Sequence, residues 1–294
     1  MNYAYYPGCV TKHSSLELDR ATRLVCERLG IGLQELTAAP CCGAGDVQAI
    51  DAPLDTVLNA LTLAQAERLG LDVMTVCNVC TLNLRQTGAL LAEDAGARER
   101  ANEALGVVGY SFAGQTAVTH LLWVLWQEIG SDRLADAVSR RLSRVTVAPF
   151  YGCQLLRPSS VNGEDDPDRP VALEDVVEAC GARPVDYDGR LKCCGWPIGA
   201  SRDETSASMA ARAVLNAAGA GADVIVTPCP LCHAALEGCQ REAERLVGER
   251  LRLPVLHLPQ LVGLALGFSP RQLELQRHLV DTGTLLARLG LSFA

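Results

Sequence analysis

Ten cysteines fall into two matched sets, and the chemistry they offer is that of soft thiolate ligands. The first set is Cys9, the adjacent pair Cys41-Cys42, and the turn Cys77-x-x-Cys80; the second is Cys153, Cys193-Cys194 and Cys229-x-x-Cys232. As spacings they read C-x31-CC-x34-C-x2-C and C-x39-CC-x34-C-x2-C. The surrounding words repeat as well: Tyr6-Pro7-Gly8-Cys9 answers Phe150-Tyr151-Gly152-Cys153, and Cys41-Cys42-Gly43 answers Cys193-Cys194-Gly195. A gap of 34 kept twice marks a duplicated site.

A C-x-x-C turn sets two sulfurs on one face of a metal, whereas adjacent cysteines tend to reach different partners. Five thiolates exceed the four that a tetrahedral zinc or an ordinary cubane takes, which favours a multi-iron cluster. Thiolates suit zinc as well as iron–sulfur, so structural zinc in one repeat is an alternative. Disulfide redox at the C-x-x-C turns is another, but it leaves Cys9 and the adjacent pair without a role. Cys26, Cys180 and Cys239 lie outside the pattern and read as packed thiols. Aligning Gly30 with Gly181 puts Cys180 where the first copy has Leu29.

These thiols must be delivered by the elements around them. Residues 2–6 predict a strand that ends in Pro7-Gly8, followed by a helix from Ser15 to Leu29 with Leu18, Thr22, Val25 and Leu29 on its core face. A strand over Gly32–Leu36 leads to Cys41. A helix over 53–69 follows, with Leu54, Leu58, Leu61 and Ala64-Gln65 at helical spacing, and then a buried strand at Val73–Val76. The stretch from Thr81 to Gly114 reads as helical. The second half repeats the order: strand Arg144–Tyr151, helix Leu173–Cys180, helix Ser206–Ala218 and strand Asp223–Thr227. Val118-Thr119-His120 and Val255-Leu256-His257 each close a repeat and open an apolar helix. Such alternation predicts an α/β fold of two pseudo-symmetric Rossmann-like repeats, parallel sheets flanked by helices. The expected division is 1–143 and 144–294, the latter with a C-terminal helical tail. Strand-to-loop turns at one edge of such a sheet are where ligands bind. Residues 158–170 form a polar loop just after Cys153 that is placed to wall a pocket.

Composition narrows the setting. The chain has 294 residues, 49% hydrophobic and 20% charged, as a globular protein of two ordinary domains, each with its own core, would. A net charge of −8 argues against a nucleic-acid partner. Thirteen cysteines without an export signal suit a reduced, cytoplasmic, metal-bound protein better than a disulfide scaffold. No apolar run is long enough to span a membrane.

The duplicated pattern, from Tyr5 to about Gly267, resembles the CCG domain of the heterodisulfide reductase B-subunit family, with Gly152-Cys153-Gln154-Leu155-Leu156-Arg157-Pro158 and Leu253–Gly267 adding to the likeness. The resemblance implies two noncubane [4Fe-4S] clusters, one on Cys9, Cys41, Cys42, Cys77 and Cys80, the other on Cys153, Cys193, Cys194, Cys229 and Cys232. It implies an oxidoreductase subunit that reduces or forms a small disulfide lying between the clusters, catalytic only in a complex. No C-x2-C-x2-C-x3-C run is present, so a ferredoxin-like iron–sulfur subunit and a flavoprotein subunit are the expected partners. The same domain also occurs, by resemblance, in the E-type subunit of some succinate dehydrogenases and in fumarate reductases. An electron-transfer or membrane-docking role, with peripheral association through the complex, is therefore the alternative; a zinc-thiolate adaptor is a further one. His233, beside Cys232, is the candidate proton donor. His120 and His257, at matching helix entries, read first as packing residues.

Overall fold

The computed structural model describes residues 1–293 and contains two four-stranded parallel sheets. The first is built from β1 (Asn2–Tyr6), β2 (Gly32–Glu35), β3 (Val73–Thr75) and β4 (Val118–His120), in the order β2-β1-β3-β4. The second, from β5 (Thr146–Pro149), β6 (Arg183–Pro184), β7 (Val224–Thr227) and β8 (Val255–His257), has the order β6-β5-β7-β8. The fold is α/β, and the two halves repeat one topology. In each sheet the chain steps outward to one side and then reverses, so a switch point lies between β1 and β3, and again between β5 and β7. Crevices at the carboxyl ends of strands flanking a switch point are the natural ligand sites of such sheets. Tyr6 pairs with Thr75, and Pro149 with Val226, so the strands that deliver Cys9 and Cys77, and Cys153 and Cys229, end nearly level.

The central strands are apolar along their length because both faces are covered: every residue of β3, β5 and β7 is buried. The Leu16–Leu29 helix buries Leu18, Thr22, Val25 and Leu29, the stripe read from the sequence, and stops at Gly30, whose φ is 74°. The Ala52–Leu69 helix differs. Leu54 is exposed and Leu58 and Leu61 half-buried, while Asn59, Ala60, Leu63, Ala64 and Ala66 face inward. The helix is turned by Asn59, whose side-chain amide donates to Cys42 O (3.2 Å) and so holds the cysteine pair. A polar anchor has outweighed the leucine periodicity.

The two repeats share their cores, which departs from the separate cores expected of two domains. The helix that closes each repeat packs on the first long helix of the other: Leu258–Ala265 lies on Leu16–Leu29, and the Leu121–Trp123 helix with its π-helical continuation Val124–Ile129 lies on Ala172–Ala179. One apolar cluster therefore joins Leu18, Val25, Trp123 and Leu125 to Leu173, Val177, Leu261 and Leu264. Trp126 Nε1 donates to Asp175 Oδ2 (2.8 Å), and Arg28 Nη1 to Leu266 O (2.8 Å), across the same seam. Each buried large side chain contributes about 1.5–3 kcal/mol, so the exchange welds the halves together. The C-terminal tail comprises a 3₁₀ turn, Leu275–Arg277, and a short helix, Gly283–Arg288. Among the described residues no helix is long and apolar enough to cross a membrane.

Candidate metal centre

Both cysteine sets assemble at the switch points, and each thiol is set there by a local cause. Cys77 and Cys229 follow β3 and β7 and occupy the N-cap positions of the Asn78–Glu93 and Pro230–Gly238 helices, with Cys80 and Cys232 in the first turns. The positive ends of two helices thus face thiolate positions. Backbone N–H groups of Cys77 and Cys229 each reach the hydroxyl of a preceding threonine, Thr75 and Thr227, at 3.4 Å. Cys42 is fixed through its carbonyl, which accepts from Asn59 and from Asn83 Nδ2 (2.8 Å).

The glycine before the first cysteine has a defined task in each copy. Gly8 and Gly152 have φ of 78° and 70°, and a Cβ on either would lie 3.1 Å from Cys80 Sγ or 3.0 Å from Cys232 Sγ. Only glycine lets the loop carrying Cys9 or Cys153 close over the C-x-x-C turn.

The sulfurs of a set touch one another. Cys9 Sγ lies 3.4 Å from Cys41 Sγ, and Cys42 Sγ 3.3 Å from Cys80 Sγ. In the second set the same pairs, Cys153 with Cys193 and Cys194 with Cys232, perturb one another's ionisation. Packed thiols cannot all ionise together, and within the adjacent pairs the balance falls the same way in both copies. Hydrogen bonds from Cys42 and Cys9, with the Gly43 N–H, pull the Cys41 thiol down to about 2. Cys153, Cys194 and the Gly195 N–H pull Cys193 down to about 2. Their neighbours Cys42 and Cys194 are pushed up to about 12, first by those same partners. Cys41 and Cys193 are therefore the members of each pair that favour the thiolate.

The sets also meet each other. The leading cysteines of the two turns act on each other: Cys229 pushes the Cys77 thiol well up, and against burial Cys232 and Cys77 hold the Cys229 thiol well below its ordinary value. Each site borrows walls from the other half: Pro230 and Leu231 line the first, and Asn78 and Val79 line the second. Asn78 Nδ2 donates to Tyr151 O (2.8 Å), pinning the first C-x-x-C turn to the segment that delivers Cys153 in the other repeat. The cavity lined by Cys9, Cys41, Cys42, Cys77 and Cys80 holds about 210 Å³, while the one lined by the second set holds about 20 Å³. The donor chemistry fits a polynuclear iron–sulfur group in both places. In the first the space is already open; in the second the thiols must part to admit it.

Trp196 is the residue that sequence reasoning missed. It is 43% exposed and lines both cysteine cavities as well as a neighbouring groove of about 600 Å³ running past Ala44, Asp46 and Asp203. Its position was the available signal: it follows Cys194-Gly195 where the first copy has Ala44 after Cys42-Gly43. The loop at 158–170 does wall a cleft, in which Pro158, Ser159, Pro167 and Asp168 stand beside Cys153. Asp165 organises that loop by accepting the Val171 and Ala172 N–H groups.

The remaining candidates sort by burial. Cys26, Cys180 and Cys239 are packed in the core, and burial pushes each thiol up to about 12. His120 Nδ1 accepts the Leu122 N–H (3.0 Å) and so caps the helix it opens, the packing role expected of it. His233 is 4% exposed, lies with Nε2 2.9 Å from Val255 O, stacks on His257 with ring centroids 3.9 Å apart, and lines neither cysteine cavity.

Comparison with known proteins agrees with this layout. The family model described as the CCG cysteine-rich domain matches twice, over residues 3–85 and 147–237. The chain is 38% identical over 283 residues to the 8-methylmenaquinol:fumarate reductase membrane anchor subunit of Wolinella succinogenes, covering 96% of this chain and 98% of that one. It is 33% identical over 285 residues to the B subunit of the ferredoxin:CoB-CoM heterodisulfide reductase of Methanosarcina mazei, covering 96% and 95%. A protein of Archaeoglobus profundus described as like the heterodisulfide reductase B subunit is 30% identical, with 92% and 93% covered. Among solved structures, a hypothetical protein from Helicobacter pylori superposes with a TM-score of 0.77 at 16% identity. That match covers 95% of this chain and 52% of the other, and it speaks to fold alone. With both five-cysteine sets intact and near-full-length similarity to heterodisulfide reductase B subunits, the chain belongs to the CCG cysteine-rich domain family, in its duplicated heterodisulfide reductase form.

Proposed function

We propose that the chain is the iron–sulfur subunit of a heterodisulfide-reductase-type oxidoreductase, holding two noncubane [4Fe-4S] clusters on its ten paired cysteines. The observation that carries this reading is that the cavities of two complete five-thiol sets adjoin, with Val79, Leu231 and Trp196 lining both. When bound, the clusters supply one-electron redox steps, two of which balance the two-electron cleavage of a disulfide. The protein's own residues do the rest. The helix N-termini at Cys77 and Cys229 present positive dipole ends to the metal positions, Asn78 pins the first C-x-x-C turn to Tyr151 of the other repeat, and the Leu231 and Val79 side chains keep the region between the sites apolar. Trp196, common to both sites, is positioned to cover a substrate lying over them. Electrons come from a ferredoxin-like iron–sulfur subunit and a flavoprotein subunit, in a cytoplasmic complex.

The similarity to a fumarate reductase membrane anchor subunit favours a second reading, in which the same clusters relay electrons and dock the complex at a membrane. The two readings separate on one experiment. The chain is purified with its native partners and assayed with a low-potential dye for disulfide reduction, and separately for fumarate reduction. Disulfide turnover supports the first reading; fumarate turnover without disulfide turnover replaces it by the second.

A further inference from the structure

The geometry points to a zinc site in the second repeat that is distinct from the cysteine sets, with His233, Glu237 and His278 as its ligands. His233 and Glu237 stand four residues apart on the Pro230–Gly238 helix, so they share one face of it. His278 comes from the C-terminal tail, just after the Leu275–Arg277 turn. One ligand atom from each of the three lies within 4.8 Å of the others. His278 Nδ1 is 3.1 Å from both His233 Nε2 and Glu237 Oε1. The side chains of Glu237 and His278 are 5% and 1% exposed, so a carboxylate and two imidazoles converge out of water.

What lies behind these ligands orients them as a metal site requires. Gln260 Oε1 accepts the His257 N–H (3.0 Å) and Gln260 Nε2 donates to Leu273 O (3.1 Å), which fixes the amide. His278 Nε2, 3.0 Å from that same Oε1, must therefore carry its proton and donate it, leaving Nδ1 to coordinate. A ligating histidine whose other nitrogen donates to an oxygen is the usual second layer of a metal centre. Glu237 is held in turn by the Leu279 and Val280 N–H groups, at 3.2 and 3.4 Å. Val255 O, 2.9 Å from His233 Nε2, accepts a hydrogen bond from that nitrogen. Zinc takes the place of the hydrogen bonds that now link His233 Nε2, His278 Nδ1 and Glu237 Oε1. Leu279 is 79% exposed, so the tail that supplies His278 is at the surface and gives the ion a way in.

The cluster is not a by-product of the duplication. At the places of His233 and Glu237 the first repeat has Thr81 and Arg85, which bond Thr75 and Glu164 instead. The donor set of two imidazoles and one carboxylate suits zinc and not an iron–sulfur cluster. Bound there, zinc ties the C-terminal tail to the helix whose first turn carries Cys232.

The test uses the full-length, iron-loaded chain dialysed against micromolar zinc, with metal analysis and zinc-edge X-ray absorption. The expected result is one zinc per chain with nitrogen and oxygen ligands at about 2.0–2.1 Å and no sulfur. His278→Ala and Glu237→Gln should each weaken zinc binding at least about tenfold while iron content stays unchanged. Glu237→Gln preserves side-chain size, so the test stays readable if His278→Ala fails to fold. Failure of the wild type to retain zinc, sulfur in the zinc shell, or undiminished binding in Glu237→Gln would each overturn the site.

Discussion

Asn78, inside the first C-x-x-C turn, donates from Nδ2 to Tyr151 O (2.8 Å), two residues before Cys153 in the other repeat. The contact makes the two metal sites neighbours and, under the proposed function, one working unit. Cys77→Ala and Cys229→Ala should each abolish dye-linked disulfide reduction by the assembled complex, and the double variant should be no worse than either single one. Retained turnover in either single variant would show that the sites work separately. Circular dichroism is measured alongside, since loss of a cluster can unfold its surroundings.

Metal content tests the ligand sets directly. Anaerobically purified protein should contain about eight irons, four for each complete set. Cys41→Ser or Cys194→Ser should remove about half of the iron. Cys26→Ala, in the apolar core and away from both sets, should leave it unchanged. Iron loss in Cys26→Ala would break the assignment.

Gly8 and Gly152 offer a test that leaves every ligand in place. Alanine at either position meets a sulfur at 3.1 or 3.0 Å and must adopt a φ of 78° or 70°. Each substitution should cost about 1–3 kcal/mol of stability through backbone strain. The cluster of the same repeat should be lost preferentially, as read by iron analysis in combination with Cys41→Ser or Cys194→Ser.

Acid stability follows from the buried histidines. Burial lowers His120 from its ordinary 6.5 to about 4, and His233 and His257 are lowered by burial as well. Between these values the unfolded chain binds a proton that the folded chain does not. His120 therefore contributes stability that is fully present above about pH 6.5 and is lost as pH falls toward about 4. The loss is on the order of 3 kcal/mol. In urea titrations at a series of pH values, the gap between wild type and His120→Asn should narrow across that window. A pH-independent gap would show that His120 titrates normally.

The sequence by itself determined the chemistry and the repeat. Cysteine type and spacing are covalent facts, and strand–helix alternation sets the thiols at strand ends whatever the packing, so the ten candidate ligands and both sheets, apart from the short Arg183–Pro184 strand, were legible in the chain alone. The stripe of Leu18, Thr22, Val25 and Leu29 was legible for the same reason, since helical period alone decides which side chains share a face. Other features depend on which residues distant in sequence become neighbours. The turn of the Ala52–Leu69 helix was set by Asn59 reaching Cys42 O, a polar contact that no periodicity encodes. The exchange of closing helices between repeats, the borrowed walls at Asn78 and Leu231, and the insertion of Trp196 between the two sites arise from docking one half on the other. So does the meeting of His233 with His278, drawn together from 45 residues apart. Local spacing fixes what each segment can do, but only the burial of apolar surface between segments decides which of those capacities meet.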